Sequence, residues 1–145
     1  MYGYKVFAKE GKVLTPISVL GKAMFPEFKK GRNVAVHGPF FVYKRKVSAL
    51  CTANSLNGMF SNNGMFSNTG LFCVRRVFCA EVQNVPELVP ETGFLPYSFS
   101  TPAKEAIGFW RHGKCKARLF RFGDYERESI VIAKEITIGV RDVKP

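Results

Sequence analysis

Residues 129–140 alternate, with Ile130, Ile132, Ile136, Ile138 and Val140 on one side of an extended chain. A period of two is the mark of a half-buried strand, because successive strand side chains point to opposite faces. β-Branched residues strengthen that reading, since their stiff side chains suit a pleated surface. A strand of this kind needs partners, so the chain is constrained toward a sheet-based fold from the start. Lys134 falls on the apolar side. It marks either a bulge that shifts the register or a lysine that snorkels out at the rim, and the bulge is preferred to a catalytic amine. No acidic or carbonyl-binding companion can be named beside it, so a catalytic amine is not favoured there.

Further segments carry the same signal. Residues 2–8 place Tyr2, Tyr4, Val6 and Ala8 on one face and Lys5 on the other. Residues 13–20 are apolar, but Pro16 confines them to an edge or a bulge. Residues 34–43 read as a strand broken or bent at Gly38-Pro39, and 71–82 and 117–122 as two more strands. Helices look few. Residues 44–53 offer one, with Val47, Leu50 and Cys51 on a shared face. Thr101-Pro102 is a start signal for another, with Ile107, Phe109 or Trp110 on its buried side until Gly113. The expected fold class is mainly β (α+β): a small antiparallel barrel or sandwich with one or two short helices. The expected core includes Val6, Phe40, Val42, Phe78, Ile132 and Ile136.

The 145 residues are the size of one domain, so a single domain over 1–145 is expected, and 46% hydrophobic residues suffice for a core. The N-terminal sequence has no signal-peptide pattern, and no apolar run is long enough for a membrane span. These features point to an intracellular compartment. Cys51, Cys73, Cys79 and Cys115 form no Cys-x-x-Cys pair, which weakens zinc and thioredoxin-like readings. Four reduced cysteines in or near the core are expected, with Cys73 and Cys79 on one strand face. A two-disulfide framework would suit a secreted mini-protein better.

Two segments read as irregular. Residues 84–102 contain Pro86, Pro90, Pro96 and Pro102 and suggest an extended connection anchored by Phe94, Tyr97 and Phe99. Residues 54–70 contain an unchanged hexad repeat, Asn57-Gly-Met-Phe-Ser-Asn62 followed by Asn63-Gly-Met-Phe-Ser-Asn68, and a degraded third copy. A solenoid needs more coils than this to bury a core. The favoured reading is a duplicated loop between two strands. The sharper alternative uses Met59, Phe60, Met65 and Phe66 as an interface, most simply in a homodimer.

The formal net charge is +11. Residues 1–80 hold 12 basic and 2 acidic residues, a net of +10, while residues 81–145 contribute only +1. The clusters are Lys29, Lys30 and Arg32; Lys44, Arg45 and Lys46; Arg75 and Arg76; and Arg111, Lys114, Lys116 and Arg118, running on to Arg121. Such a surplus attracts polyanions through counterion release. Phe109, Trp110, Phe120 and Phe122 offer π-faces for unpaired bases. No RNP motif, helix-turn-helix, zinc finger or leucine zipper is visible, so contact would follow the phosphate backbone and not the base sequence. The same charge suits an acidic protein partner or an anionic membrane surface.

Catalytic signatures are absent from the sequence. His37 and His112 have no Cys, Asp or Glu at a metal or triad spacing. Asp124, Glu126 and Glu128 fit a solvated turn between two strands better than an acid–base pair. Phosphate-cradling glycine loops are missing. The expectation is a non-enzymatic protein with no cofactor and no metal.

Gly3-Tyr4-Lys5-Val6-Phe7, Gly38-Pro39-Phe40-Phe41-Val42-Tyr43, Arg76-Val77-Phe78-Cys79-Ala80-Glu81-Val82 and Ala133-Lys134-Glu135-Ile136-Thr137-Ile138 follow one another in a recognisable order. This order resembles small β-rich domains of unknown function from phages and large DNA viruses. With its basic charge, the chain is similar to small basic virion proteins of the Marseillevirus group. The resemblance covers about two thirds of the chain; the hexad repeat and the proline-rich stretch depart from it. It implies a viral origin and transfers no active site. The expectation is a viral protein located in the virion and in the host cytoplasm or nucleus. It would bind nucleic acid non-specifically. The alternative is a protein–protein interaction module for virion assembly or for antagonising a host factor.

Overall fold

A computed structural model describes residues 1–17, 19–63, 71–90 and 102–139. The strands are β1 (Tyr2–Glu10), β2 (Val13–Thr15), β3 (Gly31–Val34), β4 (Phe40–Tyr43), β5 (Leu71–Asn84), β6 (Leu88–Pro90), β7 (Leu119–Arg121) and β8 (Ile130–Ile138). The helices are α1 (Val19–Met24), α2 (Lys46–Asn63), α3 (Ala103–His112) and α4 (Asp124–Ser129). The protein is mainly β, as its alternation requires, with four helices among the described residues where the sequence suggested one or two.

Two long strands organise the sheet. β5 pairs with β1 over its first half and with β8 over its second, and all pairings are antiparallel. β4 pairs with β8 along its length and touches β1 at Tyr4–Tyr43. The ring β1–β5–β8–β4 is therefore a four-stranded barrel, extended by β2 on β1 and by β3 on β8. Gly3 permits the narrow β1–β4 seam. A Cβ there would lie 2.5 Å from Val42 Cγ1 and 3.1 Å from the Tyr43 carbonyl oxygen.

The barrel interior holds Phe7, Phe28, Phe40, Val42, Val77, Cys79, Val131, Ala133, Ile136 and Ile138. A second core lies outside the barrel wall, where Ala49, Ala53 and Leu56 of α2 pack on Val6, Ala8, Phe72 and Val74. A third gathers Val85, Val89, Phe122, Ile130 and Ile132 under the small β6–β7 sheet. Five of the six expected core residues are buried. Phe78 is the exception, 44% exposed, because even-numbered residues of β5 before Glu81 point outward and α2 covers only Phe72 and Val74 among them.

β8 corrects the single apolar face inferred for it. Val131 and Ala133 point into the barrel, and then Ile136 and Ile138 do, while Ile130 and Ile132 face the third core. The pleat changes phase at Lys134–Glu135, and Lys134 is exposed. The β5–β8 register continues across this point without an inserted residue. β5 changes face at the same place, with Cys79 inward and then Val82, and Glu81 sits there at φ +54°. Lys134 thus marks a matched kink in both strands and not a one-strand bulge.

Other expectations are revised. The 34–43 segment is broken and not merely bent: β3 ends at Val34 and β4 begins at Phe40, after Gly38-Pro39. Residues 54–63 continue α2, so the first hexad copy is helical and not a loop. The buried face of α2 is Ala49, Ala53 and Leu56, while Val47 and Leu50 are exposed. Asn57 clips this helix to β5: its amide donates to the Phe72 carbonyl at 2.9 Å and accepts from the Phe72 N–H at 2.7 Å. Within the proline-rich stretch, Asn84 ends β5 and residues 88–90 form β6, with Val85, Val89 and Pro90 buried. Phe94, Tyr97, Phe99 and Thr101 lie outside the described residues. Pro102 occupies the N-cap of α3, and Gly113, at φ +72°, ends the helix by donating to the Phe109 carbonyl. The acidic segment 124–128 is the short helix α4 and not a turn. All four cysteines are free, but Cys51 is exposed and not near the core.

Candidate nucleic-acid interface

On the outward face of the barrel α2 packs over Val6, Ala8, Phe72 and Val74, the β6–β7 sheet lies over Ile130 and Ile132, and Tyr2, Arg76 and Phe78 are exposed. Register fixes a row across four strands: Tyr2 of β1 opposes Phe78 of β5, Phe78 opposes Thr137 of β8, and Thr137 opposes Arg32 of β3. Residues directly opposed in antiparallel pairs share a face. At the usual interstrand spacing the row spans about 14 Å. Tyr2 is 51% exposed, and its ring meets Phe78 edge-on at 5.2 Å. The Arg76 guanidinium stacks 3.8 Å from the Tyr2 ring centroid. Arg32 pairs with Glu135, and Val34 is exposed beside it. Two half-exposed aromatic rings, one of them stacked by Arg76, with Arg32 in the same row, form a platform suited to flat, anionic polymers.

The basic clusters do not merge into one face. Lys29, Lys30 and Arg32 lead into β3, whose Gly31 opposes Ile138 at the far end of β8. All three are exposed, and so is Arg76. Lys44, Arg45 and Lys46, also exposed, follow β4, whose Tyr43 opposes Ile130 at the other end of β8. Eight residues of strand separate the two ends, about 26 Å. β4 and β5 are not neighbours, since each pairs with β1 and β8 from opposite sides of the ring. Arg75 is buried on the inward face and cannot contact a polymer.

Arg111, Lys114, Lys116 and Arg118 are exposed at the end of α3 and in the following connection. Arg111 lines a surface cleft with His37, Glu81 and Lys134. Of the aromatic rings expected to stack on bases, Phe122 is buried and Phe109 and Trp110 are partly buried against each other, while Phe120 is exposed. The side chains of Met59, Phe60, Met65 and Phe66 lie outside the described residues, so the repeat's interface reading falls there too.

The platform residues Tyr2 and Phe78 escaped the sequence reading because 71–82 is apolar on both faces. Its alternation does not say which side is inward. The available signal was the Arg76-x-Phe78 spacing, which puts a cation and a ring on the same face. Among the described residues no cluster of metal-ligating side chains occurs, and no helix is long and apolar enough to cross a membrane. Comparison with protein-family models, curated proteins and solved structures finds no match.

Proposed function

We propose that this protein binds single-stranded nucleic acid without reading its sequence, through the Tyr2–Phe78 platform and the cations around it. The observation that carries the reading is the exposed aromatic pair with Arg76 stacked on one ring and Arg32 in the same row. Bare rings on a sheet are costly in water, and bases supply matching π-faces whatever their identity. Arg32, Arg76, Lys29 and Lys30 would meet the phosphates. The proposed role is binding without catalysis. The resemblance to small basic virion proteins supports a place beside a packaged viral genome.

The test is a fluorescence-anisotropy titration on a twenty-nucleotide random single strand at low salt. Phe78→Ala and Tyr2→Ala should each weaken binding by about fivefold or more, since stacking is worth about 1–3 kcal/mol per base. Absence of binding at low salt would remove the proposal. The exposed Val34 beside the platform and Val36 after β3 would then favour the protein-interaction reading, whose affinity would be insensitive to salt.

A further inference from the structure

The inward face of the same sheet carries two cations that the proposed interface does not use. Lys5 and Arg75 oppose each other in the β1–β5 ladder and share the face that lines the barrel. Lys5 reaches a cavity of about 120 Å³ at the barrel mouth, walled by Met24, Phe25, Phe28, Phe40, Phe41 and Trp110. Cavities of this size class admit a single aromatic ring. Lys5 is the sole charged side chain lining it among the described residues, and Tyr43 is its other titratable neighbour.

The ammonium has three N–H donors. One donates to the Phe41 carbonyl at 2.9 Å. The rings of Phe7, Phe28 and Phe40 surround the nitrogen at 5.7–5.9 Å, partly offsetting its lost hydration. Arg75 is 5% exposed; one guanidinium N–H reaches only its neighbour Val74's carbonyl, and its Nε has no acceptor. Neither cation is in an ion pair among the described residues. A buried Arg75 and a half-buried Lys5, neither in an ion pair, are costly against apolar walls, and an apolar residue at either site would lower that cost.

We propose that this cavity is a binding site for a small molecule with an apolar body about the size of one ring and a single carboxylate. The ring would fill the phenylalanine-walled space. The carboxylate would accept from the free ammonium hydrogens of Lys5 and would lie in the field of Arg75. Burial pushes the Lys5 pKa down to about 8, with a smaller opposing influence from Cys79. The ammonium therefore remains the major form at neutral pH. The Cys79 thiol and the Tyr43 phenol are both pushed up by burial, so neither adds a negative charge there.

The test uses benzoate, with benzyl alcohol as its neutral match, in calorimetric and NMR titrations of the full chain. Benzoate should bind saturably, shift resonances of Phe40, Trp110 and Met24, and bind at least tenfold more tightly than benzyl alcohol. Lys5→Gln keeps a donor for the Phe41 carbonyl and should lose that tenfold preference while still binding the alcohol. Equal affinity for the two probes, or no saturable shift of the cavity residues, overturns the proposal. If Lys5→Gln does not fold, the wild-type protein still decides. Its benzoate affinity should fall from pH 7 to pH 9 as Lys5 loses its proton, and a flat profile overturns the proposal.

Discussion

Glu81 holds its backbone at φ +54°, a region that costs a residue with a Cβ about 1 kcal/mol or more. It does so where β5 and β8 change face together, at the kink shared by the two strands. Glu81→Gly should raise stability by about 0.5–1 kcal/mol, and Glu81→Val should lower it by more than that. Urea unfolding of the two variants checks both signs. Lys5 makes a second residue-scale test. Its folded pKa of about 8 lies below the 10.5 of a free lysine. Between those values the unfolded chain keeps a proton that the folded chain has released. Stability contributed through Lys5 therefore rises with pH across that window, and below it the folded state bears the whole penalty. The stability difference between wild type and Lys5→Met should move in favour of wild type from pH 7 to pH 10. Both proteins share the titrations of Cys73 and Tyr43, so these cancel in the difference, and the coupled Cys79 thiol is removed by making the comparison in a Cys79→Ala background. A pH-independent difference would mean that Lys5 is ordinarily solvated.

The elements show how much of the fold is legible in the chain. β1, β5 and β8 announce themselves because long alternating or apolar runs leave few other ways to bury their side chains. The phase change in β8 is hidden because every residue from Ile130 to Ala133 is buried on one side or the other. α2 is hidden for a different reason. Asn57-Gly58 and Asn63-Gly64 carry local turn chemistry, but the helix through residues 54–63 is held from outside. Ala49 and Ala53 let it approach the sheet closely, Leu56 packs there, and Asn57 hydrogen-bonds both polar groups of Phe72. Tertiary contact overrides local preference. Asn57→Ala would leave the Phe72 N–H and carbonyl without that partner, part-buried beside the helix. A loss of about 1–3 kcal/mol is expected, with faster amide exchange at Phe72. Exchange at Phe72 as slow as in wild type would show that the clip is dispensable.

At the scale of the whole molecule, charge and topology together set what a polyanion can touch. The sequence concentrates cations in residues 1–80, but the barrel distributes them. Lys29, Lys30, Arg32 and Arg76 stand at the Ile138 end of β8, Lys44 to Lys46 stand about 26 Å away, and Arg75 is inside. Proximity of the clusters in the chain hid this, because the strands that carry them are joined through β1 and β8 and not to each other. If the proposed binding holds, the separation should make affinity depend on strand length. A tetranucleotide is too short to occupy both ends and has three linking phosphates, so its log–log salt slope on the platform should be about −2. A twenty-nucleotide strand can reach both ends and neutralise about seven cations, for a slope of about −5. Replacing Lys44, Arg45 and Lys46 together by alanine should flatten the long-strand slope by about two units and leave the tetranucleotide unaffected. Replacing Arg32 and Arg76 should weaken both strands. Salt titrations of the two lengths against the two variants check this. If the triple substitution weakened the tetranucleotide as much as the long strand, the platform would not be where short strands bind.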